Sequence, residues 1–289
     1  MPSSTIQWFP GHMAKTRRLI TENLKSVDAV IEILDARIPY SSRNPEISRI
    51  CKGKPSLLLL NKASLADPKI TEYWSKKYTD DTTRCIETDC ISGAGISKIA
   101  PALRELCSEK IARYEEKGMH GRSIKVMVVG IPNVGKSSLI NKLCGTKKAK
   151  VENRPGVTLD KQWVSTNIGI LLMDMPGVLW PKFDEKSVGE NLAITGAIKD
   201  DVLDIETIAS ALCGRLRDMY PDLLMQRYKL AEIPPNDDVN DYELLCMIGR
   251  KRGHLISGGE IDTERTANML IDEYRSSKIG RISLDNIEV

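Results

Sequence analysis

Short apolar runs alternate with amphipathic stretches through roughly the first 180 residues of the chain. The runs are rich in Val, Ile and Leu and occur at residues 29–34, 56–60, 126–129 and 168–173. The amphipathic stretches at residues 15–24 and 96–106 have their apolar side chains at helical spacing. Buried strands that alternate with helices are typical of a parallel sheet covered on both faces. The pattern therefore predicts an α/β fold.

The pattern changes after about residue 179, where strand-like runs cease. Helical patterns with acidic starts and basic ends follow at residues 204–219, 222–230, 241–251 and 262–276. Such charge placement favours helices because it complements the helix dipole. We therefore predict an α/β domain over residues 1–179 and an all-helical domain over residues 180–289, with residues 180–197 joining the two.

Composition is that of an ordinary globular protein and excludes several classes. The 289 residues are 41% hydrophobic and 28% charged, and the net charge of +3 gives only weak overall attraction to nucleic acid. Seven scattered cysteines without a CxxC pair argue against a disulfide framework and a zinc site. The start of the chain lacks a signal-peptide pattern, and no apolar run approaches the roughly 20 residues that span a bilayer. We expect a cytoplasmic protein with no membrane association.

Residues 130–137 (GIPNVGKS) match the phosphate-binding pattern GxxxxGKS. The motif follows the apolar run at 125–129 and opens a helical pattern at 137–144, which is the structural context that this motif requires. Its glycines allow backbone amides to converge on phosphate, its lysine reaches the β- and γ-phosphates, and its serine offers a hydroxyl to Mg²⁺. The predicted nucleotide contacts here are Asn133, Val134, Gly135, Lys136, Ser137 and Ser138.

Two further motifs point to the same phosphates. Asp174 and Gly177 belong to a DMPG sequence that ends a strand, where the carboxylate can hold the Mg²⁺ shell and the glycine amide can meet the γ-phosphate. A simple tight turn is the alternative interpretation of this sequence. Thr158 follows a Pro-Gly turn between the two motifs, and we predict that it coordinates Mg²⁺ and senses the γ-phosphate.

Residues 61–64 (NKAS) follow a buried strand and resemble the NKxD element with which GTPases read guanine. We therefore assign Asn61, Lys62, Ala63 and Ser64 to the base site. In NKxD an aspartate accepts two hydrogen bonds from guanine N1 and N2, whereas Ser64 could accept one at most, and without charge. Asp67 could compensate through loop rearrangement, or it could be a solvated loop residue.

The remaining base-contacting loop is predicted at Asp89 and Cys90, after a strand at residues 84–88. A backbone amide near residue 90 is expected to face the base oxygen. The base motif thus precedes the phosphate loop, whereas a linear small GTPase has the opposite order. The simplest account is one nucleotide site in a circularly permuted P-loop GTPase fold.

The chain resembles the ribosome biogenesis GTPase A (YlqF-like) family, a set of circularly permuted GTPases that assist assembly of the large ribosomal subunit. The resemblance rests on the phosphate loop and on WFPGHM at residues 8–13, DARIP at 35–39, DMPG at 174–177, LWPK at 179–182 and KRG at 251–253. It implies GTP and GDP as ligands with Mg²⁺. It also implies a precursor of the large (50S) subunit and its rRNA as partners, with the helical domain contributing RNA contacts.

The resemblance also implies a mechanism. Many GTPases place a glutamine after DxxG to orient the attacking water, but this chain has Val178, which cannot hold water. His12 is the catalytic candidate that the family implies. Lys136 and Thr158 are the catalytic candidates that the motifs predict. We expect slow intrinsic turnover that the ribosomal particle stimulates. Resemblance to potassium-activated GTPases makes K⁺ a candidate ligand of Asn133.

Basic clusters offer candidate rRNA contacts, although each could equally be a solvated face. They comprise Lys15, Arg17, Arg18 and Lys25; Lys147, Lys148, Lys150 and Arg154; and Arg250, Lys251 and Arg252. We expect a monomer when the protein is free. Because Ser64 and Val178 depart from the usual motifs, two alternatives stay open. One is a nucleotide-binding assembly scaffold with a degenerate base pocket and little hydrolysis, and the other is a permuted ATPase.

Overall fold

The computed structural model describes residues 10–145, 163–180, 183 and 185–287, with the side chains of residues 10–13 and 202 left out of the description. The strands are β1 (Ala29–Asp35), β2 (Ser56–Asn61), β3 (Thr83–Glu87), β4 (Ile124–Gly130), β5 (Trp163–Ser165) and β6 (Ile170–Asp174). The helices of the first part are α1 (Pro10–Leu24), α2 (Pro45–Ile50), α3 (Pro68–Lys77), α4 (Ile99–Leu106), α5 (Ser108–Glu116) and α6 (Lys136–Cys144). Those of the second part are α7 (Lys186–Ile194), α8 (Ile205–Met219), α9 (Pro221–Tyr228), α10 (Asp241–Arg252) and α11 (Thr263–Arg275).

The strands form one sheet in the order β3-β2-β1-β4-β6-β5. Every pairing is parallel except that of β5 with β6, so the predicted parallel sheet is confirmed and gains an antiparallel edge strand. Residues 167–169 form a turn with Gly169 at φ 76°, which is why β6 begins later than the apolar run suggested.

Helices cover both faces of the sheet. On one face, Ile31 and Leu57 belong to the same core cluster as Ile99 of α4 and Leu139 of α6. On the other face, Leu58 packs with Trp74 of α3. Successive strand residues point to opposite faces, so strands buried on both sides become continuous apolar runs. The predicted α/β class is therefore confirmed.

The second part is helical, as predicted, and α8 lies at its centre in contact with α7, α9, α10 and α11. Asp204, Asn240 and Asp262 each cap the helix that follows by accepting hydrogen bonds from its first amides. The segment that we predicted to join the two parts contains α7. The domain boundary at residue 179 stays a prediction.

The C-terminal tail, residues 279–287, returns to the sheet. The Ile282 N–H donates to the carbonyl of Leu65 at 3.1 Å, and the Leu284 N–H donates to the carbonyl of Arg37 at 2.8 Å. Asp285 is buried and accepts hydrogen bonds from the backbone and hydroxyl of Ser41. The end of the chain thus holds the loops that follow β1 and β2. Within the described ranges, no helix has both the length and the apolar character needed to cross a membrane.

Candidate nucleotide-binding site

The predicted motifs converge at the carboxyl ends of the parallel strands. β1 and β4 lie side by side in the sheet, but the chain continues from β1 to β2 on one side and from β4 to β5 and β6 on the other. In open α/β sheets, ligands bind at such a switch point. An open cavity of about 500 Å³ lies at this edge. Eight predicted nucleotide-contacting residues line it: Asn61, Lys62, Ser64, Asp89, Cys90, Asn133, Gly135 and Ser138.

Asn61 joins the three loops of the cavity. Its Nδ2 donates to the carbonyl of Val134 at 2.7 Å, and its Oδ1 accepts from the Cys90 N–H at 3.1 Å. We predicted that an amide near residue 90 would face the base oxygen. The Cys90 amide instead engages Asn61, because Asn61 lies between that amide and the phosphate loop. Ala63 does not line the cavity, and its N–H donates to the carbonyl of Thr88 at 3.1 Å.

The phosphate loop has the backbone conformation that its glycines permit. Gly130 and Gly135 have φ of 150° and 105°, and a Cβ on Gly130 would lie 2.6 Å from the carbonyl oxygen of Ile33. The Lys136 ammonium donates to the carbonyls of Gly130 at 3.1 Å and Ile131 at 2.9 Å. Its amino group therefore lies over the loop that is predicted to hold the phosphates.

Gly177 and Asp174 lie beside this loop. A Cβ on Gly177 would lie 2.6 Å from Lys136 Nζ and 3.1 Å from the Pro132 nitrogen. Burial lowers the pKa of Lys136, while the nearby Asp174 opposes that shift. Burial likewise raises the pKa of Asp174, with Lys136 opposing it. Ser137 lies in the first turn of α6.

A buried ion-pair cluster supports the base loop from below. Asp35 accepts two hydrogen bonds from the Arg37 guanidinium, at 2.9 and 2.8 Å, and one from Lys62 Nζ at 2.8 Å. Burial alone would raise the pKa of Asp35, but the charges of Arg37 and Lys62 hold it well below its usual range. Lys62 has φ 62°, a conformation that non-glycine residues rarely adopt, and the ion pair holds it there.

Ser64 lines the cavity and donates its hydroxyl proton to Asp89 Oδ2. Asp89 Oδ1 accepts from the backbone amides of Ile91 at 2.8 Å and Ser92 at 2.9 Å. Asp67, which we considered as a compensating carboxylate, instead caps α3 and accepts from the Tyr220 hydroxyl at 3.2 Å.

Two catalytic predictions lie partly or wholly outside the described residues. The backbone of His12 lies in the first turn of α1, but its side chain is not among those described, and Thr158 falls in the undescribed range. Val178 is buried in the main core. Asn133 donates its side-chain amide to the Gly196 carbonyl at 2.7 Å, so its oxygen is the atom that a cation would contact.

Two residues that line the cavity lie outside the nucleotide motifs and were not predicted from the sequence. Thr195 and Arg275, from the ends of α7 and α11, line the cavity. Arg275 donates to the carbonyls of Ala193 at 3.0 Å and Ile194 at 2.9 Å. The DARIP sequence did give a signal, because a charged Asp-Ala-Arg directly follows an apolar run. The sequence alone does not show which cationic side chains the aspartate contacts.

Comparisons with known proteins agree with this arrangement. Residues 125–212 match a family model described as a 50S ribosome-binding GTPase. Ribosome biogenesis GTPase A of Priestia megaterium is 47% identical over 283 residues, covering 98% of this chain and 97% of that protein. The GDP-bound structure of TM YlqF superposes with a TM-score of 0.67 at 25% identity, covering 94% of this chain and all of that one. The GNP-bound YlqF from T. maritima has a TM-score of 0.62 at 26% identity, covering 95% of this chain and 99% of that one.

Proposed function

The chain belongs to the ribosome biogenesis GTPase A family, and we propose that GTP hydrolysis times its release from a late precursor of the large ribosomal subunit. The protein is a GTPase of ribosome assembly. The main support for the proposal is Asn61, which joins the base loop to the phosphate loop through the Val134 carbonyl and to the loop after β3 through the Cys90 amide. A site built this way joins recognition of the base to the position of the phosphates, as a nucleotide-dependent switch requires.

The oxygen donors at the phosphate end suit Mg²⁺, which prefers hard oxygen ligands. Ser137 and Asp174 would hold it together with Thr158. Asp174 lies close enough to Lys136 for each to shift the pKa of the other, so a carboxylate and a cationic side chain are both present where phosphate charge must be balanced. Bound Mg²⁺ would offset the negative charge of the β- and γ-phosphates. K⁺ beside the Asn133 amide oxygen is a further part of the proposal.

Lys136 orients and stabilises the phosphates, and the Gly177 amide meets the γ-phosphate. Val178 cannot orient water because its side chain is packed in the core. We therefore assign that role to His12, which the ribosomal particle would bring to the nucleotide. This arrangement predicts slow turnover by the free protein.

The basic clusters contact rRNA in this proposal. Lys15 and Arg17 belong to α1, and the exposed Arg250 and Lys251 lie at the end of α10. Cations at two separate elements suit phosphate contacts with structured RNA. We further propose that the protein is monomeric when free and acts in the cytoplasm.

GTP hydrolysis with and without purified large-subunit precursor tests the catalytic assignment. His12→Ala should lower the stimulated rate by about 100-fold or more, the usual contribution of a positioned general acid or base, and should leave GDP affinity unchanged. His120→Ala is the matched control because His120 is exposed in a turn of the α5–β4 connection. A stimulated rate that His12→Ala leaves intact would remove His12 from the mechanism.

A further inference from the structure

The polar contacts of Ser64 and Asp89 bear on how this chain selects its base, and the inference drawn from them rests on the proposed guanine-nucleotide function. The NKxD aspartate is replaced by Ser64, yet a carboxylate is present at the same wall of the cavity. That carboxylate belongs to Asp89, from the loop after β3, and it accepts the Ser64 hydroxyl proton. Ser64 and Asp89 both line the cavity. The negative charge that the NKxD aspartate would supply is therefore carried by Asp89, which is hydrogen-bonded to Ser64.

The hydrogen-bond inventory determines what this pair can offer to a base. A serine hydroxyl has one proton and two acceptor lone pairs. Since the Ser64 proton is donated to Asp89, the hydroxyl can present only lone pairs to the cavity. A hydrogen bond to an ionised carboxylate also polarises the hydroxyl and makes its oxygen a stronger acceptor.

The Asp89 carboxylate is held in place from three directions. The amides of Ile91 and Ser92 occupy Oδ1, and the Ser64 hydroxyl occupies one site on Oδ2. A carboxylate has about four acceptor sites, so one on Oδ2 is left for a ligand. Burial alone would raise the pKa of Asp89, but the hydrogen bonds from Ser64, Ser92 and Ile91 bring it below its usual value, so the group is ionised at neutral pH.

We infer that Ser64 and Asp89 together replace the NKxD aspartate, with the Ser64 oxygen and the remaining Asp89 lone pair accepting the N1–H and 2-amino protons of guanine. Adenine presents an acceptor at N1 and no 2-amino group. The lone pair on adenine N1 would therefore face the acceptor lone pairs of Ser64 and Asp89, and both acceptors would lack a hydrogen bond. In a partly buried site, unsatisfied acceptors of this kind weaken binding. Ser64 contacts the base directly, and Asp89 also acts as a positioning residue that fixes the direction of the serine proton.

The pair makes Ser64→Asp alone an unfavourable change. An aspartate at position 64 would place two carboxylates in hydrogen-bond contact, and such pairs resist simultaneous ionisation. Exchanging the charge between the two positions, with Ser64→Asp and Asp89→Asn combined, keeps one carboxylate and restores a neutral partner. The exchange variant should therefore select guanine better than either single variant.

The test is the ratio of GDP to ADP affinity, measured by calorimetry with Mg²⁺ present. A loosened site would weaken both nucleotides, whereas a lost acceptor would change their ratio. We expect the wild type to prefer GDP, Asp89→Asn to lower the ratio by about 10- to 100-fold, and the exchange variant to recover most of that loss. Asp67→Asn is the matched control, because asparagine caps a helix as well as aspartate does and Asp67 faces α3 and Tyr220.

Each outcome has a distinct meaning. Absence of guanine preference in the wild type would refute the proposed function and this inference together. A wild type that prefers GDP and an Asp89→Asn variant with the same ratio would overturn the inference alone. Should Asp89→Asn fail to fold in a thermal melt, the exchange variant decides: guanine preference above that of Ser64→Asp supports the pair, and an equal or lower ratio refutes it.

Discussion

Two carboxylates on β1 show how neighbouring charges determine protonation inside the same sheet. Asp35 receives Arg37 and Lys62 at hydrogen-bond distance and stays ionised. Glu32 is also buried, but its nearest cation is Arg43, with Nε 3.8 Å from Oε2. Its other oxygen has no hydrogen-bond partner among the described residues. Burial raises the pKa of Glu32 to about 7, with Arg43 opposing the shift.

Glu32 should therefore make the protein less stable as the pH rises. The unfolded chain releases this proton near the ordinary glutamate pKa, while the folded chain keeps it until about pH 7. The unfolded state thus binds fewer protons between these values, and the free energy of unfolding falls with pH, by about 3 kcal/mol in all. Glu32→Gln should remove this part of the pH dependence, which urea unfolding from pH 4 to 8 would measure. If the free energy of unfolding of the wild type and of Glu32→Gln changed with pH in the same way, Glu32 would not be the source of this pH dependence.

At the scale of elements, the site depends on close approach between the base loop and the phosphate loop. Gly135 has φ 105°, and a Cβ there would collide with the side-chain amide of Asn61. The collision is with the group that also binds Val134 and Cys90. One methyl group at this position would therefore separate all three loops.

Gly135→Ala should lower GDP affinity by at least about tenfold, since it disrupts the positioning of several nucleotide contacts at once. Gly118→Ala is the matched control, because Gly118 also has a left-handed φ of 75°, but a Cβ there would point into open space with nothing within 4 Å. Both changes strain the backbone, by about 1–2 kcal/mol. Calorimetric titration with GDP separates them, and equal affinities in the two variants would show that the contact with Asn61 is unimportant.

Elements with a local signal could be predicted from the sequence. The glycines and lysine of the phosphate loop act through backbone conformation and charge, which the motif itself specifies, and Asp262 signals its helix start by its own side chain. β5 could not be predicted because a three-residue edge strand has too short a pattern. The Ser64–Asp89 contact joins residues 25 positions apart and depends on how two loops pack, which spacing along the chain does not encode.

In the molecule as a whole, the C-terminal tail and α11 contact the loops around the base site. Arg281 donates to the carbonyls of Ala66 at 2.9 Å and Ala63 at 2.8 Å, across more than 200 residues of sequence. The Arg37 guanidinium also lies over the Tyr274 ring of α11, 5.4 Å from its centroid. These contacts link the base loop to the C-terminal tail and the loop after β1 to α11. Arg281 donates these hydrogen bonds to backbone carbonyls. Every residue type has a backbone carbonyl, so the sequence gives no sign of these contacts.

Arg281→Ala should weaken this link. Two charge-assisted hydrogen bonds to the base loop would be lost, and GDP affinity should fall by a factor of about 5–10, together with a lower melting temperature. Arg265→Ala is the matched control, since Arg265 is exposed on α11 away from the tail contacts described above. If Arg281→Ala matches the control in both measurements, the tail does not support the base site.

We propose that guanine nucleotide governs association of the protein with a precursor of the large ribosomal subunit. The most direct measurement is cosedimentation of the protein with purified precursor particles in the presence of a non-hydrolysable GTP analogue, GDP or the corresponding ATP analogue. We expect the protein to be retained on particles with the GTP analogue and to be released with GDP or the ATP analogue. Equal retention in all three conditions would contradict it.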